Sequence, residues 1–336
     1  MVYCLIMVEF VNSPEIIQKF ITYMDSVQGK SENTTNAYFS DLRTFFRYIK
    51  VHKKLVSKPK NFESSNVEEA KTALMDINWD GVDIRLIKSI TLEDIYSFLS
   101  YTNRIRKNSA NARARKIATL RKFFSFLSDV LEIIPENVAK KINVPKTAKK
   151  LPVYLELDEG KKLITSSKLR QNPRDYLIIV MFLNCGMRLS ELCGINITDI
   201  RGDTLVVTGK GNKQRTVYLN KAVKVALQNY LSHRMEIKTD DPALFLNKNK
   251  KRLGQRGVQL IVDKAFDMVG IDKEMYSTHK LRHTAATLMY KYGGTDIRTL
   301  QAILGHEQLS TTEIYTHIDD CNLRDAAELN PLAEEI

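Results

Sequence analysis

The chain has 336 residues, a net charge of +12 and an apolar fraction of 43%. These values predict one large or two moderate domains with a real core, and they exclude a wholly disordered chain. The charge is unevenly placed, because residues 101–150 hold 13 basic and 3 acidic side chains. Such a stretch attracts polyanions, of which DNA is the commonest, although a solvated lysine-rich face gives the same counts.

Three amphipathic segments in the first half have helical spacing: residues 34–50, 91–101 and 109–131. They predict a small all-helical domain, with its helices between residues 12 and 140 and one basic face, in a first domain bounded at residues 1–142. Residues 51–88 lie between these helices, are polar, and contain Pro59 and Trp79. We expect them to form a long insertion or loop.

Residues 143–153 (NVPKTAKKLPV) are predicted to be a linker, because two prolines bracket a lysine-rich run with little to bury. A flexible basic link would let two domains close around a duplex, whereas a plain connector needs no DNA. The second domain, residues 154–336, is predicted to open with helices near 157–168 and 173–185. A hairpin follows, with strands Thr204–Thr208 and Arg215–Leu219 around the turn GKGNKQ. The fold class is therefore mainly α with a small antiparallel β-sheet.

Charged side chains in the second domain are the candidates for chemistry. Arg188 lies at a predicted helix start, and Glu191, three residues on, can orient its guanidinium, although a weak surface ion pair has the same spacing. Lys210 lies on the hairpin turn, from which an ammonium can donate a proton to a leaving oxygen. Lys213 in the same turn is the competing candidate.

The segment HKLRH begins another predicted helix and places His279 and Arg282 on one face. His283 follows His279 by four residues, which is the spacing of the zinc motif H-E-x-x-H. Lys280 stands where that motif needs a glutamate, and a cation there disfavours Zn²⁺. We therefore expect no metal, and we expect His283 to be structural; a metal-dependent hydrolase using both histidines is a minor alternative.

The run TDIRTLQAILGH is predicted to be a helix capped by Thr295 and ended by a left-handed Gly305, which places His306 on a corner where it can bind an oxyanion. A capping box at Ser310 and Glu313 then starts a helix that carries Tyr315. A phenol has a pKa of about 10, so Tyr315 needs nearby cations or a histidine base to act as a nucleophile.

The order Arg, Lys, His-x-x-Arg, Leu-Gly-His, Tyr resembles the tyrosine recombinase (phage integrase) family over nearly the whole chain, and LSTTEIYTH is similar to its Xer branch. The resemblance implies a two-domain C-shaped clamp around duplex DNA: a helical, SAM-like core-binding domain and an α+β catalytic domain. It also implies a palindromic core site and a homo- or heterotetramer on two DNA sites. No cofactor is implied.

Carried over by position, the resemblance makes Tyr315 the nucleophile and Lys210 the general acid for the 5′-hydroxyl. Arg188, Arg282 and His306 would hold the non-bridging oxygens. His279 would assist as hydrogen-bond partner or proton acceptor, and Glu191 would support Arg188. Further basic side chains are expected along the duplex: Arg113, Arg115, Lys116, Arg121, Lys149 and Lys150.

The implied function is site-specific recombination through a 3′-phosphotyrosine intermediate, in chromosome or plasmid dimer resolution. The sequence shows no arm-binding domain, which favours this Xer-like interpretation. The long segment 51–88 is also compatible with a mobile-element integrase or transposase. A non-catalytic DNA-binding protein is the remaining alternative. The tail, residues 321–333, is expected to form a helix that docks in cis or on a neighbouring protomer.

Location follows from the cysteines and the start of the chain. Cys4, Cys185, Cys193 and Cys321 contain no C-x-x-C pair, which is typical of free thiols in a reducing cytoplasm. The apolar start, residues 1–7, is too short to span a membrane and has no basic segment before it. We therefore expect a cytoplasmic protein with no membrane partner.

Overall fold

The computed structural model describes residues 10–144, 152–209, 213–305 and 312. The chain divides into two compact units, residues 1–149 and 150–336, and each has its own hydrophobic core. The described residues of the first unit form helices without a strand. Those of the second are mainly helical with one small antiparallel sheet, so the predicted fold class is confirmed.

The amino-terminal unit is built around one long helix and an aromatic core. Its α-helices are α1 Glu15–Thr22, α2 Glu32–His52, α3 Val67–Met75, α4 Ile84–Lys88, α5 Leu92–Arg104 and α6 Ala110–Ser125. A π-helical turn follows α1 at Tyr23–Val27 and another follows α6 at Phe126–Val130. The predicted apolar stripe of α2 is buried at Leu42, Phe45, Phe46 and Ile49, so this amphipathic pattern is confirmed.

The segment 51–88 is not the loop that we expected. It contains α3 and α4, which are capped by the side chains of Asn66 and Asp83. Phe62 stacks on Tyr101 with ring centroids 4.8 Å apart, and Trp79 lies edge-on to Phe39 in the core. These helices have nine and five residues, too few for a periodic pattern to stand out from the polar loops around them.

The carboxy-terminal unit is built on a helix that is apolar on all sides. Its α-helices are α7 Leu157–Thr165, α8 Ser167–Arg170, α9 Pro173–Cys185, α10 Leu189–Gly194, α11 Lys221–Glu236, α12 Gln255–Val269, α13 Thr278–Tyr292 and α14 Ile297–Leu304. Residues 177–183 of α9 are all buried, as expected for a central core helix. Gly186 ends α9 in the left-handed conformation and turns the chain into α10.

The sheet has three antiparallel strands in the order β1 Ile200–Arg201, β2 Thr204–Thr208 and β3 Gln214–Tyr218. The hairpin was predicted, and β1 was not. Leu205 pairs with Val217 and Val207 pairs with Arg215, which places these four side chains on one face of the sheet. This register directs Arg215 toward the interior of the unit, where the candidate site lies.

None of the described helices is long and apolar enough to cross a membrane.

Candidate active site

A buried carboxylate, Glu191, lies at the centre of a cluster of arginines. It is 1% exposed and lies in the first turn of α10. Its Oε1 accepts from Arg188 Nη1 at 2.7 Å and its Oε2 accepts from Arg215 Nη2 at 2.8 Å. Arg282 Nη1 lies 3.8 Å from the same Oε2. One buried anion therefore holds guanidinium groups from the residue before α10, from β3 and from α13.

The contact between Arg188 and Glu191 follows from the local sequence. Arg188 is the residue that precedes α10, and its backbone N–H donates to Glu191 Oε2 at 2.8 Å. A carboxylate at this third helical position satisfies an otherwise unpaired donor of the first turn. The predicted orientation of Arg188 by Glu191 is present in the structure, and the carboxylate is buried rather than part of a surface ion pair.

The carboxyl end of α14 is bound by the same arginines. Arg215 donates to Ile303 O, Arg282 donates to Leu304 O at 2.6 Å, and Arg188 donates to Gly305 O at 2.9 Å. The last carbonyls of a helix have no partner within the helix and carry partial negative charge. Three guanidinium groups thus fix the point where the chain leaves α14 toward His306.

The residue that ends α14 is the predicted one, whereas the residue that caps its start is not. Gly305 has φ +64° and ends the helix in the left-handed conformation, as predicted. The cap is Asp296 rather than Thr295, because Asp296 Oδ1 accepts from the backbone N–H groups of Arg298 and Thr299. An aspartate one position later offers a stronger acceptor to the positive end of the helix.

The hairpin approaches the cluster through Gly209. A Cβ on Gly209 would lie 3.4 Å from Glu191 Oε1 and 3.7 Å from Arg188 Nη1. The backbone N–H of Gly209 donates to Lys213 O at 2.7 Å and closes the turn at this point. The residue immediately before Lys210 therefore lies beside the arginine cluster.

His279 and His283 form a pair one turn apart on α13. Their Nε2 atoms are 3.1 Å apart, so one ring donates and the other accepts. Burial, followed by the charges of Arg282 and Arg188, lowers the pKa of His279. Burial, followed by the charge of His279, lowers the pKa of His283 to about 4. Both rings are therefore neutral at pH 7, and a neutral imidazole can accept a proton.

Comparison with known proteins decides the family. A family model described as the phage integrase family matches residues 154–321. The tyrosine recombinase XerC of Caldanaerobacter subterraneus subsp. tengcongensis is 45% identical, over 97% of this chain and 90% of its own length. This chain belongs to the phage integrase family.

Further relatives of this recombinase agree in sequence and fold. The tyrosine recombinase XerA of Pyrococcus horikoshii is 32% identical over 98% of this chain and 97% of its own. A crystal structure titled as the XerH site-specific recombinase bound to palindromic difH substrate, a post-cleavage complex, matches 94% of each chain with a TM-score of 0.63 and 25% identity. The Xer-like resemblance drawn from the sequence motifs is confirmed.

The recombinase cluster contains two of the six predicted catalytic residues, Arg188 and Arg282, together with the predicted support, Glu191. A third, His279, lies one helical turn before Arg282 on α13. Lys210, His306 and Tyr315 lie outside the described residues, as do Lys149, Lys150 and the tail 321–333. Their roles stay predictions. Gly209 and Gly305, the residues before Lys210 and His306, both lie at the cluster.

The two predicted phosphate-binding arginines differ in exposure. The side chain of Arg188 is 34% exposed, whereas that of Arg282 is 3% exposed. Arg282 donates to Gly186 O and Leu304 O, both at 2.6 Å. Arg188 is therefore the more accessible of the two guanidinium groups, and Arg282 ties the end of α9 to the end of α14.

The predicted DNA contacts of the amino-terminal unit are mostly engaged within the protein. Lys116 is buried and its ammonium contacts Asp41 Oδ1 at 2.6 Å, while Arg115 contacts Asp41 Oδ2 at 2.7 Å. Arg113 donates to Asn103 and to Asn108 O, and Arg121 donates to carbonyls of residues 139 and 142. The burial of Lys116 argues against its predicted phosphate contact, because its charge is already neutralised by Asp41.

Arg215 is the site residue that the sequence analysis missed. The sequence pattern predicts only that Arg215 begins a strand. The available signal was its place in an alternating strand, because Arg215 and Val217 share the inward face and a buried arginine requires a partner.

Among the described residues, no group of three or more histidine, cysteine, aspartate or glutamate side chains has a geometry that could hold a metal ion.

Proposed function

We propose that this recombinase cleaves and rejoins DNA with Tyr315 as its nucleophile, on the cluster centred on Glu191. The observation that carries the proposal is the convergence of Arg188 and Arg282 at Glu191, with His279 one helical turn before Arg282 on α13. The backbone positions before Lys210 and His306 arrive at the same place. The proposed phosphate site thus gathers cations from separate elements of the carboxy-terminal unit.

The proposed cleavage step is a displacement at phosphorus. The Tyr315 hydroxyl oxygen attacks the scissile phosphate, its proton passes to His279, and the bond from phosphorus to the 5′ oxygen breaks. Lys210 gives a proton to that oxygen, which leaves as a 5′-hydroxyl. Arg188, Arg282 and His306 stabilise the negative charge that builds on the non-bridging oxygens, with each well-placed donor contributing about 3 kcal/mol.

Rejoining is the reverse of cleavage. The 3′-phosphotyrosine bond replaces one phosphodiester with another ester, so a 5′-hydroxyl from a second strand can attack it and release Tyr315. The energy of the broken bond is kept in the covalent intermediate, and the proposed cycle therefore uses no nucleotide cofactor. Neutral His279 suits the proton-accepting part of this cycle, since its pKa is held below its ordinary value.

The biological substrate that we propose is a palindromic site of the kind resolved by Xer recombinases, in chromosome or plasmid dimers, within the cytoplasm. The support is the 45% identity to a XerC protein and the fold match to XerH on a palindromic substrate. The segment 51–88 supplies core residues of its unit, so it gives no ground for an added mobile-element module. Two sites held by four recombinase subunits complete the proposed assembly.

The test is covalent capture. Genomic fragments bound by the purified protein would first be sequenced to define the site, and duplexes carrying that site would then be nicked near the cleavage position to trap the intermediate. We expect a denaturant-resistant protein–DNA adduct from the natural protein. We expect none from Tyr315→Phe, which should still bind the site.

The matched control is Tyr218→Phe, which removes the hydroxyl of a tyrosine that is 78% exposed in the same unit. It should form the adduct at the normal rate. An adduct from Tyr315→Phe would contradict the choice of nucleophile. Salt-sensitive binding with no adduct on any bound site would instead support a non-catalytic DNA-binding protein.

A further inference from the structure

Arg215 contacts both Glu191 and the end of α14, and the roles assigned above explain neither contact. Its Nη2 donates to Glu191 Oε2 at 2.8 Å and its Nε donates to Oε1 of the same carboxylate at 3.5 Å. Its Nη1 donates to Ile303 O in the last turn of α14. A single side chain from β3 therefore joins the buried carboxylate to the helix that leads to His306.

Arg215 also packs against the residue that ends α14. A Cβ on Gly305 would lie 2.7 Å from Arg215 Cδ and 3.3 Å from Nε. The first of these distances is shorter than real Cβ contacts show and the second is tight, so the arginine occupies space that a side chain at Gly305 would need. The left-handed turn at Gly305 and the position of Arg215 are thus fitted to each other.

The charge balance of the cluster depends on Arg215. Burial alone would raise the pKa of the Glu191 carboxyl, but the hydrogen bond and charge of Arg215, followed by the hydrogen bonds of Arg188, hold it below its ordinary value. A buried carboxylate that loses a partner is destabilised and rearranges toward the cations that remain. Arg188, which shares Glu191 with Arg215, would then lose its fixed orientation.

We propose that Arg215 is a positioning residue for strand cleavage: it holds the Glu191 carboxylate and the end of α14 so that Arg188 is aimed at the scissile phosphate. The side chain is 13% exposed, and all three of its guanidinium nitrogens have partners within the protein. Because these contacts lie within the protein, we expect Arg215 to act through Arg188 rather than by contact with DNA. The inference rests on the proposed function, since it assigns Arg188 to the phosphate.

The experiment compares Arg215→Gln and Arg215→Lys with the natural protein on the nicked site. Two quantities are measured: the dissociation constant for the site, and the single-turnover rate of adduct formation at saturating protein. We expect binding within about threefold of normal and a rate roughly 100-fold lower for Arg215→Gln, because a misplacement near 1 Å costs that much. Arg215→Lys keeps the charge but cannot reach Glu191 and Ile303 O together, so we expect roughly a tenfold loss.

A double variant separates positioning from direct contact. If Arg215 acts through Arg188, then adding Arg215→Gln to Arg188→Ala should slow adduct formation by less than about threefold beyond Arg188→Ala alone. A further loss equal to that of the single Arg215→Gln variant would overturn the proposal, because it would mean independent action on the substrate. A normal rate for Arg215→Lys and Arg215→Gln would also overturn it.

The matched control is Arg252→Gln. Arg252 is also half-buried in the carboxy-terminal unit and donates to Cys193 O, Ile195 O and Asn196 Oδ1, away from Glu191. Its loss should lower thermal stability and leave the rate per folded molecule unchanged. If Arg215→Gln does not fold, Arg215→Lys carries the test. Failure of the proposed function has a different signature, since the natural protein would then form no adduct through Tyr315.

Discussion

Replacing Glu191 by glutamine removes the one buried anion that holds the arginine cluster together. The substitution keeps the shape of the side chain and removes its charge. Glutamine keeps one acceptor oxygen and puts an amide N–H donor in place of the other, so the contacts at 2.7 and 2.8 Å cannot both be kept in their present geometry. Arg282 also loses a counter-charge at 3.8 Å. The three guanidinium groups would then repel each other with the opposing charge of Glu191 removed. We expect both the stability and the cleavage rate to fall.

The size of the effect follows from burial. Breaking a buried ion pair by removing one partner costs about 3–5 kcal/mol. For a domain of about 150–250 residues, each kcal/mol lowers the melting temperature by about 2–4 °C, so the expected decrease is roughly 10 °C. Cleavage should slow by roughly 100-fold at saturating protein, because the backbone and the side chain of Arg188 donate to different carboxylate oxygens and glutamine leaves only one of the two acceptors.

The pH dependence gives a second measure of the same interaction. Because the pKa of Glu191 lies below its ordinary value of 4.5 in the folded protein, its stabilising contribution is present above that value. The contribution is lost as the pH falls through the folded-state pKa. The stability difference between the natural protein and Glu191→Gln should therefore be largest near neutral pH and should shrink in acid.

Calorimetry across this pH range is the assay, with Glu236→Gln as the control. Glu236 is an exposed carboxylate at the end of α11, so its neutralisation should leave the melting temperature nearly unchanged. A melting temperature for Glu191→Gln within about 2 °C of normal at pH 7, less than 1 kcal/mol on the same scale, would contradict this prediction. It would mean that the arginine cluster does not depend on the charge of Glu191.

Three further predictions test other parts of the structure. Trp79→Ala should cost about 3–5 kcal/mol of unfolding free energy, measured by urea denaturation with circular dichroism, because the indole is buried in the core. A loss under about 1 kcal/mol would indicate that the segment 51–88 is a loop that does not contribute to the core. Gly305→Ala should cost about 1–2 kcal/mol of stability from its left-handed backbone and slow adduct formation roughly tenfold by displacing Arg215; a normal rate would contradict the fit between them. Because the pKa of His283 is lowered to about 4, the free energy of unfolding should fall as the pH drops from 6.5 toward that value, by about 1–2 kcal/mol after allowing for the exposed part of the ring. His283→Gln should remove this part of the pH dependence, and an unchanged pH dependence in the variant would contradict the prediction.

Local features of the site could be predicted from the sequence. Arg188 and Glu191 are three residues apart at a helix start, so their contact follows from helical geometry alone. The hairpin, the left-handed Gly305 and the shared face of His279 and Arg282 follow from the same short-range rules. Each depends on neighbours within about one turn or one strand pair.

Long-range contacts could not be predicted in this way. Arg215 meets Ile303 O across 88 positions, and Lys116 meets Asp41 across 75. Such pairs depend on how helices and strands pack, which no local pattern in one sequence determines. The buried lysine shows the consequence, since a basic residue on an amphipathic helix was expected to bind DNA but neutralises an acidic residue of the core.

The central claim is that one phosphate is attacked by the Tyr315 hydroxyl under the control of the Glu191 cluster. The most direct measurement is mass spectrometry of the peptide that stays attached to DNA after cleavage of the nicked site and nuclease digestion. We expect a nucleotide linked through its 3′-phosphate to Tyr315. A nucleotide found on any other residue of the chain, or attached through a 5′-phosphate, would contradict it.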